Sequence, residues 1–225
     1  MTPRPATRVL VLGSPGSGKT TLARTLATRT GLPLLHLDDE YWGPGWTRPD
    51  PRAWQQRLAR MVAEDRWIID GNYLPSIPTR AARAEVVIVI DAPPLLCVLR
   101  TIRRALRIRR GHHEPLPRRV REQAENGVRV RATRDFLPLV RKVIGFRSRD
   151  WWAVIASARA NPESHLIVAV AAGVTGRRVK AQRCQLHRRG VPATVVPLTH
   201  IDPVLQAWTG PVELAPAAHQ QSVMP

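Results

Sequence analysis

The stretch Gly13-Ser14-Pro15-Gly16-Ser17-Gly18-Lys19-Thr20-Thr21 constrains the fold of this chain more than any other. Gly13, Gly18, Lys19 and Thr20 fill the pattern G-x-x-x-x-G-K-[ST], the apolar run Val9-Leu10-Val11-Leu12 precedes it as a buried strand, and a helical stretch follows. Glycines let the backbone curl into a concave nest of N–H donors, and the helix behind adds the positive end of its dipole, so a polyphosphate is gripped mostly by main chain. Lys19 then reaches the β- and γ-phosphates, and the Thr20 hydroxyl ligates Mg²⁺. The expected ligands are therefore ATP and Mg²⁺, with residues 13–21 as the binding loop. The glycine spacing does not fit the dinucleotide fingerprint G-x-G-x-x-G.

Further apolar runs follow at 34–37, 67–69, 86–90 and 166–170, alternating with helical patterns at about 19–30, 51–64, 93–109, 136–144 and 176–189. Continuous rather than alternating apolar residues point to parallel strands covered on both faces. The expected fold is thus α/β, a three-layer doubly wound parallel sheet of five strands, with a kinase-like domain over residues 1–200. The Ala/Pro/Gln-rich residues 201–225 read as a flexible tail. In such sheets ligands sit at the carboxyl ends of the strands. Asp38, Asp70 and Asp91 each stand at such an end and are expected to face one crevice. Asp38 is either a base for the acceptor, a helix cap or a partner for an arginine; Asp70 and Asp91 join Thr20 as candidate metal-supporting residues.

The chain of 225 residues carries a net charge of +18, and the excess is local: residues 100–149 hold sixteen Lys/Arg against four Asp/Glu, a net +12. Arg100, Arg104 and Arg107 lie on the helix that enters this region and are candidate phosphoryl-stabilising groups. The same segment suits non-specific contact with nucleic-acid phosphates. It contains no aromatic residue between 100 and 134, so it offers no stacking platform for single strands. Tyr41, Trp42 and Trp46 either stack an acceptor ring or close one end of the core. His112 and His113 lack metal-ligand spacing and read as exposed. Two cysteines far apart, Cys97 and Cys184, read as reduced, buried thiols; with no signal peptide and no apolar run long enough to span a bilayer, the expected setting is cytoplasmic, without membrane contact.

The strings LGSPGSGKTTLARTLATRTGLPLLHLDDEYWGPGW, DRWIIDGNY and VVIVIDAPPLLCVLRTIRRALRIRRG resemble the bacterial DNA topology modulation proteins, which are similar to the adenylate-kinase-like branch of P-loop kinases. The likeness spans about residues 8–190 and is strongest before 110. It implies an ATP-dependent phosphotransferase but not its substrate; the acidic Asp38-Asp39-Glu40 cluster, which would repel an incoming phosphate, tilts the expected small acceptor toward a hydroxyl-bearing one, a nucleoside or nucleotide. By this resemblance Asp70-Gly71 matches the Asp-Gly that ends strand 3, with the carboxylate supporting Mg²⁺ through water. Arg80 stands where an arginine grips an acceptor-side phosphate, and residues 107–132 take the place of a basic helical lid. The chain lacks a D-G-F-P-R string and lid cysteines, so the likeness does not extend to AMP as acceptor. The alternative reading is a nucleotide-dependent DNA-binding or regulatory protein.

Overall fold

The computed structural model describes residues 5–128, 130, 136–171 and 176–209. Its centre is a parallel sheet of β1 (Arg8–Gly13), β2 (Leu34–His36), β3 (Trp67–Asp70), β4 (Val86–Asp91), β5 (His165–Val170) and β6 (Thr194–Pro197), in the order β2-β3-β1-β4-β5-β6. Register sets Val11 beside Asp70 on one side and Ile88 on the other, so β1 lies at the middle of the sheet. The connection from β1 leads out to β2 at one edge, while that from β3 crosses β1 to reach β4. This reversal opens a crevice at the carboxyl ends of β1, β3 and β4, the place where a ligand enters an open α/β sheet.

The apolar runs follow from burial on both faces. Leu10, Leu12, Ile69, Val87 and Val89 point into one core with α3 (Pro51–Ala63), α4 (Ile77–Arg83) and α8 (Trp151–Ala158). Their neighbours Val9, Val11, Ile68, Ile88 and Ile90 point into the opposite core with α1 (Lys19–Thr30), which contributes Leu22, Ala23 and Leu26. Because successive strand residues alternate faces, a strand covered twice must be apolar at every position. Each such side chain is worth about 1.5–3 kcal/mol relative to exposure. Local signals fix the helix starts: α3 opens with Pro51 at its first position, and the Asp50 carboxylate accepts from the Ala53 N–H at 2.9 Å.

The structure departs from the expected pattern at the last strand and at the residues that follow it. The sheet has a sixth strand, β6, pairing in parallel with β5 from Ile167↔Thr194 to Val170↔Pro197. It is short, flanked by prolines and only partly buried, which is how an edge strand avoids a sequence signal. Nor is the whole of 201–225 a tail: residues 201–209 form a helix, α10 (Ile201–Thr209), and bury Ile201 and Leu205 against the core beneath α1. Residues 210–225 lie outside the described residues.

Between β2 and α3 the chain makes the short helix α2 (Leu37–Tyr41) and a 3₁₀ turn, Pro44–Trp46. Beyond β4 come α5 (Pro94–Arg109), α6 (Arg118–Glu125) and α7 (Phe136–Gly145), the last joined to α8 by the π-helical turn Phe146–Asp150. Helix α9 (Gly176–Arg188) lies between β5 and β6. No helix among the described residues is long and apolar enough to cross a membrane. Both cysteines are free; Cys97 is buried as expected, whereas Cys184 is exposed.

Candidate active site

The loop between β1 and α1 has the shape its glycines foretell. Gly13, Gly16 and Gly18 all take positive φ, at 147°, 79° and 103°. Gly16 has a second reason to lack a side chain, since a Cβ there would meet the Cys97 carbonyl oxygen of α5 at 2.5 Å. Helix α1 begins without a side-chain cap, which leaves its first-turn N–H groups free for an anion. The Ser17 hydroxyl is fully buried in the loop and has no hydrogen-bond partner among the described residues. Lys19 Nζ donates to the Ser14 carbonyl at 3.1 Å, folded back over the nest. Desolvation lowers the Lys19 pKa from its ordinary value, with Asp70 and Asp38 pulling the other way. A half-buried ammonium, uncapped amides and an orphaned hydroxyl make a donor set that fits the phosphates of a nucleotide.

Asp70, at the end of β3, organises the floor of the crevice. One carboxylate oxygen accepts from the Thr20 hydroxyl at 2.8 Å, and the other lies 2.7 Å from His36 Nδ1 at the end of β2. Burial disfavours the charged imidazole, but the hydrogen bond and charge of Asp70 outweigh it, and the His36 pKa is raised. Among the described residues no group of three or more His, Cys, Asp or Glu could hold a metal ion unaided. A Mg²⁺ ion would instead take the Thr20 hydroxyl, Asp70 and the oxygens of the nucleotide, in keeping with its habit of using one or two carboxylates plus phosphates.

Asp38 sits in the first turn of α2 rather than at the strand end proper. Its carboxylate accepts from the Tyr73 hydroxyl at 2.9 Å, and its charge acts on both Lys19 and Arg104. Tyr73 adopts a left-handed backbone, φ 36°, a strained conformation for a bulky residue that the surrounding packing sustains. Its ring lies 4.6 Å from Tyr41 and 5.7 Å from Trp54. Burial, then the Asp38 charge and hydrogen bond, push the phenol far up, so it remains a donor. Trp42 and Trp46 do not line the crevice floor: they pack beneath α6 with Ile108, Leu116, Val120 and Ala124.

The arginines divide. Arg100 leans on the loop, its Nη1 at 3.3 Å from both the Gly16 and Ser17 carbonyls. Arg104 donates to the Pro115 carbonyl and lies within the field of Asp38 and Asp39. Arg107 pairs with Glu114 at 3.8 Å, the same carboxylate that lies 3.7 Å from Arg24 of α1. Arg80, expected to grip an acceptor phosphate, is instead fully buried. It donates to the Gly71 carbonyl at 2.7 Å and to the Asn72 and Ser76 carbonyls, spending its fork on the turn after β3. Asp91 is likewise drawn away from a metal role. Its two oxygens accept from Arg178 at 3.0 Å and Gln182 at 2.7 Å, which α9 presents to the end of β4, and Arg147 of the turn Phe146–Asp150 lies 3.6 Å away.

Three residues of the site carried no role in the sequence reading. Asn72 Oδ1 accepts from the Gly13 N–H at 3.1 Å and so ties the turn after β3 to the phosphate loop. Tyr73 and His36 orient the two acidic groups. Asn72 and Tyr73 belong to the string Asp70-Gly71-Asn72-Tyr73, whose polar residues just after a buried strand were the available signal. The basic segment is also latched: Asp39 accepts from the Arg118 N–H at 2.7 Å, and the Gln123 side chain accepts from the Gly45 N–H. Of the expected lid, 107–132, residues 129, 131 and 132 lie outside the described residues.

The sequence model of the ATPase family associated with various cellular activities (AAA) matches residues 9–64, from β1 through α3. No curated protein matches the chain. Among solved structures, the shikimate kinase from Acinetobacter baumannii in complex with shikimate is 16% identical, with a TM-score of 0.44 over 82% of this chain and 93% of that one. A gluconokinase from Sinorhizobium meliloti 1021 is 16% identical, with a TM-score of 0.34 over 64% and 92%. A sugar kinase from Janibacter sp. HTCC2649 is 20% identical, with a TM-score of 0.29 over 68% and 99%. The chain has an α/β fold, a six-stranded parallel sheet flanked by helices with the glycine-rich phosphate-loop motif between β1 and α1.

Proposed function

We propose that the protein is an ATP- and Mg²⁺-dependent phosphotransferase of the adenylate-kinase-like type that moves the γ-phosphoryl group to a hydroxyl of a small acceptor, a nucleoside or nucleotide. The observation that carries this reading is Asp38, a carboxylate oriented by Tyr73 and close enough to Lys19 for its charge to be felt there. A hydroxyl acceptor needs its proton taken as the new O–P bond forms, and a positioned carboxylate does this. Two acids that would repel an anionic acceptor are already engaged by Arg118, Asp39 through its N–H and Glu40 through its guanidinium at 3.7 Å.

In this reaction the loop amides and Lys19 hold the transferring phosphate, and Thr20 and Asp70 would hold the cation. Bound Mg²⁺ supplies charge neutralisation on the phosphoryl oxygens. Arg104, next to Asp38 in the electrostatic field, meets the charge that develops on the transferred group. Arg100 braces the loop. The acceptor hydroxyl attacks phosphorus, its proton passes to Asp38, and the bond to the ADP oxygen breaks.

The test is a panel of nucleosides, nucleoside monophosphates and small polyols incubated with Mg²⁺ and [γ-³²P]ATP, beside Lys19→Ala and Asp38→Asn. Label in one acceptor, lost in both variants, supports the proposal. Phosphate release to water that no acceptor changes overturns it. The sequence likeness to DNA topology modulation proteins and the +12 of residues 100–149 favour a second reading, nucleotide-dependent contact with DNA. Affinity for duplex DNA that responds to ATP as well as to salt would favour it over simple charge attraction.

A further inference from the structure

Helix α5 carries an apolar seam that the described residues leave partly exposed. Leu95, Leu99, Ile102 and Leu106 are 71%, 44%, 37% and 44% exposed, while the buried face of the same helix is Cys97, Thr101 and Ile108. Spaced by four, three and four residues, the exposed four fall in a stripe about 60° wide at 3.6 residues per turn. That is the narrow seam of a coiled coil rather than the broad face of a helix meant for a core. Arg103 and Arg110 flank the stripe on one side and Arg109 on the other, and among the described residues none of the three forms an ion pair. Neither α5 nor the adjoining α7 contains a single acidic residue.

We propose that α5 is a docking helix for a partner protein, and that the partner presents an amphipathic helix with an apolar heptad seam bordered by Glu or Asp. The seam spacing selects a helix over a lipid surface, which would use a wider apolar face. The bordering arginines select an acidic helix over a second copy of this chain, whose α5 would bring like charges together at the positions that set partner choice. Nucleic-acid phosphates would satisfy the arginines but leave the leucines in water. The crevice lies on the other side of α5, where Arg100 and Arg104 point, so a docked helix and a bound nucleotide would share one element.

The test uses the full-length protein and a fluorescent synthetic helix several heptads long, with Leu at the seam positions and Glu at the flanking ones. A scrambled peptide of the same composition is the control, and fluorescence anisotropy is the readout. The seam peptide should bind at least tenfold more tightly than the scrambled one and lose that advantage against Leu99→Asp. Against the Arg103→Glu/Arg110→Glu variant it should bind at least tenfold more weakly, while a peptide with Lys at the flanking positions should gain. This charge-swap pair keeps the seam and decides the question if Leu99→Asp does not fold. Equal binding of seam and scrambled peptides overturns the proposal. So does a dimer in sedimentation that Leu99→Asp dissociates, or Leu99-dependent binding to phosphatidylglycerol vesicles without peptide binding.

Discussion

Asn72→Ala separates the role of the turn after β3 from that of the phosphate loop. Asn72 is 8% exposed, and its side-chain oxygen accepts from the Gly13 N–H at 3.1 Å, at the point where β1 becomes the loop. Alanine removes the acceptor and leaves that N–H without its partner in a buried position. Stranding one buried donor costs about 1–3 kcal/mol. For a chain of this size each kcal/mol lowers Tm by about 2–4 °C, so a loss near 2 kcal/mol appears as about 4–8 °C. The same change loosens Gly13, so Mg²⁺-ATP should stabilise the variant less than it stabilises the native protein. Asn72→Asp sharpens the test because it keeps an acceptor in place while adding a negative charge beside the loop. Its melting temperature without nucleotide should fall less than that of Asn72→Ala, yet its affinity for ATP should fall further. Differential scanning fluorimetry and isothermal titration calorimetry read the two quantities separately. An Asn72→Ala protein with native Tm and native ATP affinity would refute the linkage.

Other perturbations follow from the same geometry. Lys19→Ala should abolish the thermal stabilisation that saturating Mg²⁺-ATP gives the native protein, since binding to the folded state is what raises its stability. Asp38→Asn should keep nucleotide affinity and lower kcat by about 10²–10⁴, the usual worth of a positioned base, with Tyr73→Phe showing a milder form of the same defect. Arg80→Met strips three backbone carbonyls of their shared donor and should cost about 2–4 kcal/mol in urea denaturation, at about 1 kcal/mol per lost bond. Because Asp70 raises the His36 pKa above the ordinary 6.5, the charged pair stabilises the folded state fully below that value. The contribution is lost as pH rises through the raised pKa. The nucleotide-free protein should therefore lose stability more steeply above pH 6.5 than His36→Gln, measured by urea denaturation across pH.

What could be read from the sequence was whatever the backbone itself dictates. The phosphate loop needs glycines at fixed intervals whatever surrounds it, and strands buried on both faces must be apolar throughout, so both were plain in the letters. Strand β6 escaped because it lies at the edge of the sheet, where partial burial relaxes the pattern and prolines imitate a loop, and helix α10 because it buries little beyond Ile201 and Leu205, too few to show a period. Arg80 and Asp91 were misplaced for a different reason. Their chemistry suits a ligand as well as it suits the fold, and only the third dimension shows that three carbonyls surround one and α9 reaches the other. Asn72 went unread for the converse reason, since an uncharged side chain in a turn announces no function until its partner is known to be the first residue of the loop.

These misplacements have a common physical origin that also explains how the crevice keeps its shape. A buried guanidinium on carbonyls, and a carboxylate held by a guanidinium and an amide, are costly to strand, so the turn after β3 and the end of β4 are each held in one arrangement. The groups left to meet a ligand are those that remain at least partly exposed, namely Lys19, Thr20, Asp38, Arg100 and Arg104. Arg80 fixes Asn72, Asn72 fixes Gly13, and the loop amides follow from Gly13. On that chain of contacts, Arg80→Met should weaken ATP binding even in the fraction of protein that remains folded. The effect should persist when affinity is measured well below the melting temperature. A variant that is destabilised yet binds ATP as the native protein does would show that the loop holds its shape without help from β3.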